Sequence, residues 1–353
     1  MPPTQSHAVC REPISCYTRL LTGDASPAFF CVGDKSAEPA EWISASMTIL
    51  DRTLHSVAFL QAGHRLDRTL HEAPVLEFDD QSRLVFFSDL HRGDNGRADA
   101  FRANRAIFES ALEHYEREGY TYIEVGDGDE LWKNRDLNAV HSAHRPIYRI
   151  MERLARAGRL MVLGGNHQLV PRGGHLAAMG PEYQEALLLI HRERPVRFLV
   201  THGHQADAPY ARAYGVLRLV VRYFWRYLQA LGMRTTLPDA SEGVSALSPV
   251  RGALAWAGYN QAGIEARIAH WLAGADHIGI ICGHTHRPAF APAGALPYFN
   301  TGSGIQPGYV TGLEIAEGTI SLVLWTNRAD GPGAYRLDSA PQRVVLAGPE
   351  RLR

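Results

Sequence analysis

Five short apolar runs each break abruptly into a polar cluster, and this regular junction constrains the fold more than any other feature of the chain. LVFF (84–87) leads into Ser88-Asp89-Leu90-His91, and YIEV (122–125) into Gly126-Asp127-Gly128-Asp129-Glu130-Leu131-Trp132. LMVL (160–163) leads into Gly164-Gly165-Asn166-His167-Gln168, FLVT (198–201) into His202-Gly203-His204, and IGIIC (278–282) into Gly283-His284-Thr285-His286. Runs of this length and composition fit buried strands. Helix-like stretches lie between the first three, from Ala98 to Glu118 and near Val140 to Ala157. The alternation predicts an α/β or α+β layered domain with much of its sheet buried.

In such domains sites form at the strand ends. Extended backbone turns residues i and i+2 to the same side, so His284 and His286 can address one point in space. A lone H-x-H says little in a chain with 17 histidines. Singly, Asp89-x-His91 reads as a solvated loop, Gly126-Asp127 as a turn, Asn166 as a left-handed turn residue and His202-Gly203-His204 as a surface loop. Five such clusters in the same register argue for one shared site. Imidazole and carboxylate together suit borderline divalent ions. The donors exceed what one tetrahedral ion takes, and two ions about 3.5–4 Å apart would use them all. Glycines at 126, 164, 165, 203 and 283 would let the backbone approach closely, and Cys282, inside an apolar run, reads as core.

The order D-x-H, G-D-x-x-E, G-N-H, H-G-H and G-H-T-H, over about residues 84 to 303, resembles the calcineurin-like metallophosphoesterase family. The resemblance implies a two-sheet core flanked by helices, with a helical cap insertion. It implies a metal-dependent phosphoesterase that cleaves a phosphoester or pyrophosphate bond by attack of a metal-bound hydroxide. The cofactors would be two divalent ions, manganese foremost, with iron or zinc as alternatives. Asp89, His91 and His286 would hold one ion, Asn166, His202 and His284 the other, and Asp127 would bridge. His167 takes the place of the family's catalytic histidine, and FNTGS (299–303) is similar to a stretch that supports the site without ligating.

Within the family, GDGDELW (126–132) is similar to the G-D-x-x-E-x-W segment of UDP-2,3-diacylglucosamine hydrolases, which cleave a pyrophosphate during lipid A synthesis. The chain departs from that branch at His167, where the branch has Arg, and at His204, where it has Asp. Gln168 also replaces the acidic residue usual after G-N-H in the wider family. A soluble nucleotide phosphodiesterase or phosphoprotein phosphatase is the alternative within enzymes, and a non-catalytic metal-binding scaffold is the alternative from a different class.

The metallophosphoesterase domain is expected over 81–327, with its cap insertion at 205–276. Residues 1–80 form an extension, partly helical, in which Ile43, Met47, Leu50, Leu54, Phe59 and Leu66 recur at roughly helical spacing. PYFNT (297–301), YVTGLEI (309–315) and TISLVLW (319–325) read as a β-meander, and 328–353 as a tail with little core potential. Within the insertion, Tyr210 to Leu231 has apolar residues at steps of three and four, with Arg212, Arg218, Arg222 and Arg226 on one flank. Either this is a cap helix with a solvated arginine stripe, or its apolar face accepts acyl chains or lies on a bilayer while the arginines take phosphate. Under the second reading those four arginines, Tyr214 and Phe224 are substrate-binding candidates and the substrate is a phosphorylated small molecule or lipid. The net charge of −1 gives no case for a nucleic-acid partner. The four cysteines, at 10, 16, 31 and 282, do not form a disulfide framework, and no signal-like or membrane-spanning stretch is visible. The expected location is the cytoplasm, with contact to the inner membrane face through 210–231.

Overall fold

The computed structural model describes residues 41–134, 136–167, 184–207, 261–327 and 340–352, with side chains from 57 onward. The chain divides into two units, 1–54 and 55–353. The first contributes the start of helix α1 (Glu41–Glu72).

All five apolar runs are strands: β2 (Leu84–Phe87), β3 (Thr121–Val125), β4 (Leu160–Leu163), β6 (Arg197–Thr201) and β7 (Gly279–Cys282). Three further strands precede or interleave with them or follow directly: β1 (Val75–Phe78), β5 (Ala186–His191) and β8 (Tyr298–Asn300). The last three are β9 (Tyr309–Ala316), β10 (Thr319–Thr326) and β11 (Gln342–Arg351). They form two mixed sheets, ordered β1-β5-β6-β7-β8 and β11-β10-β9-β2-β3-β4. Strands β2, β3 and β4 are mutually parallel, as are β6, β7 and β8. Parallel neighbours end on the same side, which is why their terminal clusters can meet.

Three apolar cores fill the layers. Phe86, Ile123, Val125 and Leu313 of one sheet meet Leu189, Phe198, Val200 and Ile281 of the other. On the outer face of the six-stranded sheet lie α2 (Arg105–Arg117) and α4 (Arg145–Arg156). In α2, Ile107, Phe108, Ala111, Leu112 and Tyr115 form one buried stripe, each fully buried large side chain contributing about 1.5–3 kcal/mol. Over the other sheet, Leu66 of α1 packs with Ile264, Ile268 and Trp271 of α5 (Gln261–Gly274). No helix among the described residues is long and apolar enough to cross a membrane.

Four expectations need correction. The helix foreseen near 140–157 is two, α3 (Leu137–Ala143) and α4, because Pro146 has no N–H to donate and restarts the helix. At the break, buried His144 donates from Nε2 to Asp99 Oδ2 at 3.1 Å. The domain does not begin at 81, since β1 runs parallel to β5 in the five-stranded sheet and α1 carries core residues. The three late runs are not one meander: β8 pairs with β7, while β9 and β10 form a hairpin in the other sheet. Of the stretch 328–353 expected as a tail, residues 340–352 are described, and there β11 pairs antiparallel with β10 from Gln342 to Arg351. Its main-chain hydrogen bonds, rather than burial, hold most of it. Arg343 adds an ion pair to buried Glu314, from Nε to Oε1 at 2.7 Å.

Candidate metal centre

Beyond the strand ends the loops continue the sheet pairing. Asp89 N donates to Gly126 O at 3.1 Å, His91 N to Asp127 O at 2.9 Å and Arg92 N to Gly128 O at 2.8 Å. Gly283 N reaches His202 O at 3.0 Å, and Gly304 N reaches Asp89 O at 3.1 Å. Short, tied loops of this kind force the backbone out of its ordinary basins. Asp89 (φ 50°), His91 (48°), Asp127 (50°), His284 (68°) and His286 (57°) are all left-handed. Each such non-glycine residue costs about 1–2 kcal/mol, and strain concentrated at one locus points to function. Glycine at 165 is required by space: a Cβ there would collide with the Asp127 carboxylate and its main-chain nitrogen.

Two groups of donors result. Asp89 Oδ1 stands 3.1 Å from His286 Nε2 and 3.7 Å from His91 Nε2, and the two imidazole nitrogens are 3.3 Å apart. Nε2 of His202 lies 3.2 Å from Asp127 Oδ2, 3.1 Å from Asn166 Oδ1 and 3.9 Å from Asp89 Oδ1. Asp89 thus belongs to both groups. Its Oδ2 is fixed by Ser88 Oγ and by the His284 main-chain N–H at 2.8 Å, while Oδ1 is buried without a hydrogen-bond donor.

Those lone pairs test whether a cation fits. Val125 O can only accept, so the 3.0 Å contact from His202 Nδ1 makes that nitrogen the donor. The neutral ring then turns a lone pair at Nε2 toward three oxygens that are acceptors as well. Such a point demands positive charge, supplied either by a proton or by a metal ion. Electrostatics agree. Burial opposes charge on Asp89, Asp127 and Glu130, yet neighbouring imidazoles, with Lys133 beside Glu130, hold all three well ionised. Burial likewise disfavours a proton on His91 and His202, but the adjacent carboxylates raise them to about 10 and about 9. Asp127 groups with His202 and Asp89, and its charge is the foremost one raising His202; at His91 it acts behind Asp89 and Glu130. The residues therefore fit divalent ions, which would replace those protons.

His284 is adjacent rather than inside either group. Its ring centroid is 5.0 Å from that of His202, and its Nε2 faces Asp207 Oδ2 at 3.5 Å. With Nε2 turned to a carboxylate, ligation would use Nδ1. Burial lowers the His284 pKa, keeping the ring neutral as a ligand must be. The other departure, His204, is also pushed down by burial and by its histidine neighbours, to about 3.

His167 stands at the rim with its side chain 20% exposed. Its main-chain N–H donates to Asp127 Oδ1 at 2.8 Å, and its Nδ1 faces Glu130 Oε1 at 3.0 Å. Glu130 also faces His91 Nδ1, at 3.4 Å. These three could form a third donor group, but the Lys133 ammonium is 3.5 Å from Glu130 and His91 Nε2 already faces Asp89. Glu130 is accordingly read as the carboxylate that orients two imidazoles.

Around this centre stand residues that sequence reasoning did not place in it. Glu130 was visible, three residues beyond Asp127, but its contact with His167 was not. Arg92 reads as a surface arginine and is fully buried. It donates to Asp129 (2.8 Å) and bidentately to Glu124 (2.7 and 2.8 Å), locking the β2 and β3 loops together from behind. Arg65 of α1 and Arg267 of α5 donate to the carbonyls of Gln205 and Ala206, so the extension helix helps fix the His202 loop. Asn300 and Thr301 of FNTGS support the centre from behind, Asn300 donating to Gly283 O and Thr285 Oγ1 and Thr301 meeting Ser88 Oγ. The candidates Arg212, Tyr214, Arg218, Arg222, Phe224 and Arg226 lie outside the described residues.

No family model matches the chain, and no curated protein matches it. Among solved structures it is similar to a single mutant of Vps29 from Entamoeba histolytica, at 14% identity and TM-score 0.31, covering 74% of this chain and 98% of that one. It is similar to an archaeal phosphodiesterase at 12% identity and TM-score 0.32, covering 74% and 99%. A cold-active protein-tyrosine phosphatase of a psychrophile Shewanella sp. gives 14% identity and TM-score 0.33, covering 78% and 83%. Likeness of this degree carries no argument about the centre, whose chemistry rests on its own residues.

Proposed function

We propose that the protein is a dinuclear metal-dependent phosphohydrolase. The observation that carries this is the convergence of acceptor lone pairs from His202, Asn166, Asp127 and Asp89 on one buried point. Asp89, His91 and His286 would hold one ion and Asn166, His202 and His284 the other, with Asp127 between them. Two divalent ions would neutralise charge on phosphoryl oxygens and acidify water at neutral pH.

The chain's own groups do the rest. Val125 O fixes the His202 tautomer, and Glu130 fixes that of His91. Glu130 accepts the Nδ1 proton of His167, leaving Nε2 to hold a proton for the departing oxygen. This carboxylate supplies from the β3 loop the acidic partner that Gln168 does not. A phosphoester would enter past His167 and His286, whose side chains are 20% and 25% exposed.

The finer reading is an amphiphilic, UDP-diacylglucosamine-like pyrophosphate, supported by the Glu130-x-Trp132 segment at the centre and by the arginine-flanked stretch 210–231 in the sequence. The test is product release by the Mn²⁺-loaded protein from UDP-2,3-diacylglucosamine beside a soluble diester. Cleavage of the lipid nucleotide alone supports the finer reading. Cleavage of the diester alone keeps the phosphohydrolase and moves the substrate to soluble nucleotides or phosphoproteins. Metal uptake with neither cleavage would favour a binding scaffold.

A further inference from the structure

The Trp132 indole makes two contacts that lead to different members of the centre. Its Nε1–H donates to the main-chain oxygen of Asn166 at 2.7 Å. Its ring face lies parallel to the His167 imidazole, with centroids 4.1 Å apart and planes at 10°. Trp132 is itself buried and anchored, its main-chain N–H donating to Glu130 Oε1 at 3.1 Å, the oxygen that faces His167 Nδ1. His167 also meets His91, a candidate metal ligand, with ring centroids 4.7 Å apart and planes near perpendicular. His167 is therefore held by an aromatic plane on one face, by a carboxylate at one nitrogen and by an edge contact with His91.

We propose that Trp132 is the positioning residue of this centre, its N–H fixing Asn166 for the second ion and its ring face fixing His167 for the leaving group. The geometry gives each contact a separate consequence. The indole N–H sets the height of the Asn166 peptide, hence of its side-chain oxygen beside His202. Stacking restricts rotation of the His167 ring about its Cβ–Cγ bond. A ring so held keeps Nδ1 on Glu130 and Nε2 on the opposite edge, which is the pre-organisation a proton donor needs. The inference rests on the phosphohydrolase reading and on the roles given there to Asn166 and His167.

Trp132→Phe keeps an aromatic face and removes the N–H, whereas Trp132→Leu removes both. Manganese binding is followed by calorimetry on chelator-stripped protein. Turnover at saturating metal is followed on a 4-nitrophenyl ester, whose leaving group needs no proton, and on a phenyl ester, whose leaving group does. Both variants are expected to bind the second ion about 10- to 100-fold more weakly, with the first ion unchanged. Trp132→Leu should also lose about 10²-fold in kcat on the phenyl ester and much less on the nitrophenyl ester, with Trp132→Phe between it and the wild type. Equal loss on both esters, or unchanged affinity for the second ion, would overturn the proposal and leave Trp132 as packing. A wild-type protein that takes up no manganese would instead overturn the reading beneath it.

Discussion

His202 Nε2 and Asp127 Oδ2 face each other across 3.2 Å while His202 Nδ1 donates to the Val125 carbonyl, so Nε2 carries either a proton or, in the neutral ring, a lone pair for a metal ion. With the His202 side chain 0% exposed, a contact of this kind is stable only with a proton or a metal ion between its members.

His167→Ala is expected to lower kcat by about 10²–10⁴ while the metal content stays at the wild-type level, as for loss of a general acid. Metal analysis beside turnover separates the two effects. Loss of metal would make His167 structural.

Arg92 is fully buried between Glu124 and Asp129, with the Tyr122 hydroxyl donating to Glu124 as well. Arg92→Ala should cost about 3–5 kcal/mol of stability, because two carboxylates are left buried without their cation. Denaturant unfolding measures it. A loss below about 1 kcal/mol would show that the clamp does not hold the two loops.

Cys282 is buried in β7, and burial pushes its thiol up from 9.0 to about 12. At pH 9 the folded protein should resist alkylation at this position, and the same residue should react readily in guanidinium, as read by site-resolved mass spectrometry. The unfolded thiol ionises near its ordinary value and the folded one only near 12, so the folded state binds the extra proton and loses stability as pH rises between them. Fast labelling of folded protein at pH 9 would contradict this.

Removing residues 340–353 should destabilise the domain rather than trim a tail. It strips β10 of its partner from Gln342 to Arg351 and leaves Glu314 without Arg343. The expected outcome is a lower melting temperature or insoluble protein, and an unchanged melting temperature would show β11 to be dispensable.

Much of this was legible in the sequence, for physical reasons. Buried parallel strands need continuous apolar runs, so β2, β3, β4, β6 and β7 stood out, and the polar clusters at their ends marked the centre. Strand β11 was missed although it carries the apolar run VVLA (344–347): the run is bounded by charged and Gly-Pro residues, and as an edge strand it leaves Val344 and Val345 exposed, so its place is set by pairing with β10 rather than by burial. The split between α3 and α4 turns on Pro146 and on a buried His144–Asp99 pair that no periodicity records. The roles of Arg92, Asp207 and Glu130 arise from contacts between loops far apart in the chain, which spacing alone does not encode.

The most direct test counts ions. Chelator-stripped protein is loaded with Mn²⁺, desalted and analysed for metal per chain, wild type beside Asp127→Asn, with hydrolysis of a soluble nitrophenyl diester followed on the same samples. The account predicts two ions per wild-type chain, metal-dependent hydrolysis, and loss of both turnover and at least one ion in the variant. Hydrolysis that persists in chelator, or a wild-type chain that retains no ion, would contradict it.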